Sequence, residues 1–88
     1  MGRSVHSKPY KDFLALMIAA RKRAGLTQEA LAKRIGQTQS FVSKFERGER
    51  RLDVAEFVEI VKAMNLDPSV IFAQFLEKTY SDSRDNGK

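Results

Sequence analysis

The sequence predicts an all-α domain of five short helices, the second and third joined by a tight glycine turn. Three observations carry this. Apolar residues recur at three- and four-residue spacing along most of the chain, and no stretch alternates like a strand. Thr27, Thr38, Asp53 and Asp67 stand where helices 2 to 5 should begin, and each can accept a hydrogen bond from a free backbone N–H of a first turn. Gly25, Gly36 and Gly48 stand where helices 1 to 3 should end, because glycine enters the left-handed region without strain.

The elements follow in order. Residues 1–8 read as a flexible, weakly basic arm, residues 9–80 as the folded domain and residues 81–88 as a disordered polar tail. Helix 1 runs from Pro9 to Ala24, with Phe13, Met17, Ala20 and Ala24 on one face. Leu14, Leu16 and Ile18 widen that face, so the helix is covered on two sides or meets a partner. Helix 2 starts at the Thr27 cap, turns Leu31, Ala32 and Ile35 inward and stops at Gly36. Leu26 and Leu31 have the spacing of a hydrophobic staple. Helix 3 runs from the Thr38 cap to about Arg47. Thr38, Val42, Phe45 and Glu46 turn inward, Ser40, Ser43, Lys44 and Arg47 point away, and Gln39 lies on the flank.

Helix 4 opens on Asp53, with Glu56 placed for a capping box and Val54, Phe57, Val58, Val61 and Met64 as the buried stripe. Helix 5 opens on Asp67, with Pro68 first, where its missing N–H costs nothing. Phe72, Phe75, Leu76 and Tyr80 share one of its faces. Phe72 is expected to complete the core. Phe75, Leu76 and Tyr80 exceed what five helices need and, with Phe72 at their edge, point to a homodimer interface.

Composition narrows the function. A chain of 88 residues makes one small domain. There is no cysteine, which excludes disulfides, thiolate metal sites and a cysteine nucleophile and fits a reducing cytoplasm. No apolar run approaches the ~18 residues of a membrane span. The single His6 lies in the arm and reads as solvated, not as a metal ligand. With no glycine-rich phosphate loop and no set of acids around a pocket, the chain does not read as an enzyme, and no cofactor or metal is expected. Charge is uneven: residues 1–51 carry 12 Lys/Arg against 4 Asp/Glu, and residues 52–88 carry 4 against 7. The basic half holds the two-helix segment, so a polyanion is the natural partner. A helix bearing Gln39, Ser40, Ser43, Lys44 and Arg47 can offer hydrogen bonds to base edges in a major groove.

The residues Leu26-Thr27-Gln28, Leu31-Ala32, Ile35-Gly36, Thr38-Gln39-Ser40, Val42-Ser43 and Phe45-Glu46-Arg47-Gly48 resemble the helix-turn-helix of the Cro and phage-repressor (XRE) family. The similarity runs from about Phe13 to Phe72. It implies a compact lambda-repressor-like domain that binds double-stranded DNA as a homodimer and regulates transcription, as a repressor that occupies its operator. It also implies roles. Gln39, Ser40, Ser43 and Lys44 would read bases, with Lys44 open to guanine or phosphate. Gln28, Thr38, Arg47, Arg50 and Arg51 would contact phosphates. Arg21 and Glu46 would pair across helices 1 and 3, Ala32 would let helices 2 and 3 approach, and Gly36 would make the turn. Phe41 departs from the family, which carries a small hydroxyl residue there. It can pack on Phe45, touch a thymine methyl or sit exposed, and packing is favoured. The alternative function is an antitoxin or co-regulator module whose apolar last helix binds another protein.

Overall fold

The computed structural model describes residues 7–87, and the side chains of residues 7–81. Five helices follow one another: α1 Lys8–Arg23, α2 Gln28–Arg34, α3 Gln39–Glu46, α4 Val54–Ala63 and α5 Pro68–Gly87. No strand occurs among the described residues. His6 and most of the expected arm lie outside them. Ser7 and Lys8 belong to the fold and not to an arm: Ser7 caps α1 by accepting from Tyr10 N–H, and Lys8 is the first helical residue.

The first four helices end in the same way. Two backbone bonds close each end, as at α2, where Gly36 N–H donates to Lys33 O and Gln37 N–H to Ala32 O. The equivalent bonds close α1 at Gly25 and Leu26, α3 at Gly48 and Glu49, and α4 at Asn65 and Leu66. Each closure needs a left-handed residue. Gly25, Gly36, Gly48 and Asn65 supply it, with φ of 76°, 68°, 83° and 63°. Asparagine tolerates this region better than most side chains, which is why α4 ends without a glycine.

The core gathers residues from all five helices: Leu14, Met17 and Ala20 of α1, Leu31 and Ala32 of α2, Val42 and Phe45 of α3, Phe57, Ile60 and Val61 of α4, and Ile71 of α5. Met17, Leu31, Val42 and Phe45 are completely buried. Each large apolar side chain removed from water contributes about 1.5–3 kcal/mol. Val42 and Phe45 are both on α3, so burial clamps this short helix at one angle against α1 and α2.

Four expectations are corrected. The buried stripe of α4 is Phe57, Ile60, Val61 and Met64, while Val54 is 77% exposed and Val58 36%. On a helix that places apolar residues nearly all round, the buried arc is turned by about 50° from the expected one. Phe72 is 51% exposed and does not complete the core; its neighbour Ile71 does. Thr38 is exposed and not turned inward. Its hydroxyl accepts from Phe41 N–H, as a cap on a solvated helix end does. Finally, α5 continues to Gly87, where a disordered tail was expected from residue 81. Residues 81–86 contain neither proline nor glycine, and adding residues to an existing helix avoids the cost of nucleation.

Candidate nucleic-acid interface

α3 shows two unlike faces. Val42, Phe45 and Glu46 are buried, whereas Gln39, Ser40, Lys44 and Arg47 are exposed and Ser43 is half-buried. The buried face is polar at one point. Arg21 Nε donates to Glu46 Oε2 at 2.7 Å, and Nη2 donates to Oε1 at 3.1 Å. Arg21 Nη1 also donates to Leu26 O at 2.8 Å, at the entry to α2. One guanidinium therefore ties α1, the α1–α2 joint and α3 together, and no buried polar side-chain atom among the described residues lacks a partner.

This pair reaches the outward face through two glutamines. Gln28 Nε2 donates to Glu46 Oε1 at 2.9 Å. Gln28 Oε1 in turn lies 3.4 Å from Gln39 Nε2. A primary amide has two N–H bonds. Glu46 takes one from Gln28, which leaves the other for a ligand beside the α2 N-terminus. Gln39 keeps its Oε1 and one N–H, the acceptor and donor that an adenine edge requires.

Beyond α3, three arginines are held in three ways. Arg47 caps α3. Its Nη1 donates to Ser43 Oγ, while Nε and Nη2 donate to the Glu49 carboxylate at 2.9 and 3.1 Å. The Arg47 guanidinium, through its hydrogen bonds and charge, holds the Glu49 carboxyl below its ordinary value of 4.5. Arg50 Nη1 donates to Glu56 Oε1 at 2.8 Å and to Arg51 O at 2.7 Å. Its guanidinium lies 4.9 Å from the centre of the Phe41 ring. Phe41 also meets Phe45 edge to face at 5.9 Å. Phe41 is thus a half-buried platform under Arg50. Arg51 stacks 4.3 Å over Tyr10, whose hydroxyl oxygen accepts from Leu52 N–H. These contacts fasten the α3–α4 connection to α1 and α4.

Glu56 serves that fastening twice. It accepts from Asp53 N–H at 2.9 Å while Asp53 accepts from Glu56 N–H at 2.7 Å, a reciprocal capping box. Its carboxyl is lowered from 4.5 by Arg50 first and by Asp53 N–H second. Tyr10, Glu49 and Glu56 were not singled out as site residues by the sequence. The signal available was weak: acids two and six residues from arginines that sit on no common helix.

A second surface lies on α5. Phe72, Leu76 and Tyr80 are 51%, 43% and 45% exposed, with Val70 at 51%. Phe75 is half-buried and contacts Phe13 at 6.2 Å between ring centres. Phe72 and Phe75 also border an apolar groove of about 480 Å³, whose other walls include Pro9, Phe13, Val54 and Phe57. Among the described residues no cluster of His, Cys, Asp or Glu could hold a metal ion.

Two short helices packed together, with Ala32 of the first buried in the core, joined by a left-handed glycine, and with a polar face turned out on the second, define a helix-turn-helix domain. Residues 17–71 match the helix-turn-helix family, and the chain belongs to the XRE branch of it. A solved structure, an XRE-family like protein from Pseudomonas syringae pv. tomato str. DC3000, superposes with a TM-score of 0.79 at 41% identity, covering 89% of this chain and 95% of that one. An uncharacterized HTH-type transcriptional regulator, y4wC, of Sinorhizobium fredii (strain NBRC 101917 / NGR234) is 33% identical over 64 residues. Those residues are 73% of this chain, and the match spans only 45% of that relative's length.

Proposed function

We propose that this protein is a sequence-specific, double-stranded DNA-binding transcriptional regulator that lays α3 in the major groove and represses by occupying its operator. The observation that carries the reading is the division of α3. Its apolar side is fully buried and braced by Arg21 and Glu46, while Gln39, Ser40 and Lys44 stand in solvent. Gln39 is the adenine reader, and Ser40, Ser43 and Lys44 line the same approach. Gln28, Thr38, Arg50 and Arg51 meet phosphates, which supply most of the affinity. The basic balance of residues 1–51 supports that division of labour. The regulator name of the similar Sinorhizobium fredii protein agrees with it.

The dimer reading rests on the exposed Phe72, Leu76 and Tyr80, with Phe75 beside them. A two-fold pair would set two recognition helices about 34 Å apart and read a near-palindrome. The same surface and its groove favour a second reading, an antitoxin or co-regulator that docks a different protein.

Selection from random duplexes tests the main reading. Enrichment of a two-fold symmetric site, with one position relaxed by Gln39→Ala, supports it; no enriched sequence overturns it. Sedimentation separates the two readings of α5. The free protein should be a dimer that Leu76→Glu dissociates. A monomer at all concentrations would assign the surface to a different partner.

A further inference from the structure

We infer that Arg47 reads a guanine base edge, and that Ser43 and Glu49 hold it in place to do so. This inference rests on the DNA-binding reading and assigns Arg47 away from the phosphate role its position implies in the family.

Arginine carries five N–H bonds in a plane. Glu49 accepts from Nε and Nη2 side-on, and Ser43 Oγ accepts from Nη1. Three donors are engaged. One N–H remains on Nη1 and one on Nη2. Guanine presents two adjacent acceptors in the major groove, O6 and N7, and a paired N–H fork fits them.

The guanidinium is held over the last turn of α3, between Glu49 beyond the helix and Ser43 one turn back, and Ser43 shares the outward side of α3 with Ser40 and Lys44. Glu49 stands in bidentate contact with the guanidinium, so the pair carries no net charge. An anionic phosphate would feel that carboxylate as repulsion, whereas a neutral base edge offers only its dipoles. The Glu49 carboxyl is held below 4.5 chiefly by Arg47, so the pair stays ionised at neutral pH.

Ser43 changes role accordingly. Its oxygen lone pair is engaged by Arg47, which makes it a positioning residue beside the reader. Arg50 and Arg51 provide the contrast: each guanidinium lies against an aromatic ring at the α3–α4 connection, and neither turns back along α3.

The test is site selection with wild type, Arg47→Lys, Arg47→Ala and Glu49→Gln, followed by affinity on the selected duplex at several salt concentrations. Circular dichroism checks folding of each variant. Wild type should require guanine at one position per half-site. Arg47→Ala should lose that preference and bind the selected site about 5- to 150-fold more weakly, the range for one bidentate base contact, and Arg47→Lys, which lacks the planar fork that Glu49 and Ser43 hold, should fall between it and wild type. The salt slope should stay as in wild type. Replacing that guanine by 7-deazaguanine, which lacks N7, should weaken wild type and leave Arg47→Ala unaffected. Glu49→Gln should bind unrelated DNA more tightly while preferring guanine less. An unaltered sequence preference in Arg47→Ala, with a salt slope shallower by about one ion, would make Arg47 a phosphate contact and overturn the inference. If wild type itself enriches no sequence, the DNA-binding reading falls first and this one with it.

Discussion

Two arginine–glutamate pairs flank the recognition helix, and their environments differ as much as this small protein allows. Arg21 and Glu46 have side chains 10% and 5% exposed, and each is satisfied by further hydrogen bonds. Arg47 and Glu49 are 54% and 53% exposed. Chemically the pairs are the same. The buried one is a constraint: removing either partner strands a charge away from water, so α3 cannot rotate without breaking it. The exposed one is an orientation device. Water can replace either partner at little cost, so its value lies in where it directs the remaining N–H bonds of Arg47. Burial decides which of two identical pairs stabilises the fold and which is available to a ligand.

The contrast can be broken at the buried end first. Arg21→Met leaves the buried Glu46 without its guanidinium partner and should cost about 3–5 kcal/mol, read as a lower urea midpoint. That is a large part of the ~5–15 kcal/mol available to a domain. A loss indistinguishable from zero would mean that water reaches Glu46.

A third pair sharpens the comparison. Asp12 accepts from Lys8 Nζ and from Thr79 Oγ1, both at 2.9 Å, and so joins α1 to α5. Lys8 first, then Thr79, lowers its carboxyl below 3.8. A lowered carboxyl stabilises the fold above the value it has in the unfolded chain, and that contribution is lost as pH falls through the folded value. Asp12→Asn should therefore be less stable than wild type at neutral pH. The gap should close only below pH 3.8. A gap independent of pH would assign the effect to packing.

The smallest effect belongs to the exposed pair. Glu49→Gln should leave the melting temperature at the wild-type value while altering base preference. A clear drop in melting temperature would make Arg47–Glu49 a structural pair like the buried one.

The parts that were legible from sequence are those governed by local rules. Thr27, Thr38 and Asp53 cap as first-turn chemistry requires, and Gly25, Gly36 and Gly48 take positive φ where helices end. The inward set of α3 was legible at Val42, Phe45 and Glu46 because the helix has one apolar stripe. α4 has apolar residues on most sides, so periodicity alone could not choose Ile60 over Val54; contact with α2 and α5 does. The partners of the arginines were not legible either. Glu49 and Glu56 meet them across an irregular connection whose path depends on Tyr10 and Phe41, residues far apart in sequence. Phe41 stood out as a departure, but a platform for Arg50 emerges only when the chain has turned back.

The four joints carry a consequence for how such a protein can change. Three of them, 24–27, 35–38 and 64–67, have four residues each and one left-handed hinge at the same place. An inserted residue in any of them would rephase the following helix against the interior. The stretch 47–53 is longer, and it holds Glu49, Arg50 and Arg51. Its extra length is held by its own contacts to Tyr10, Phe41 and Glu56, so a change of length there would break those contacts and not only rephase α4.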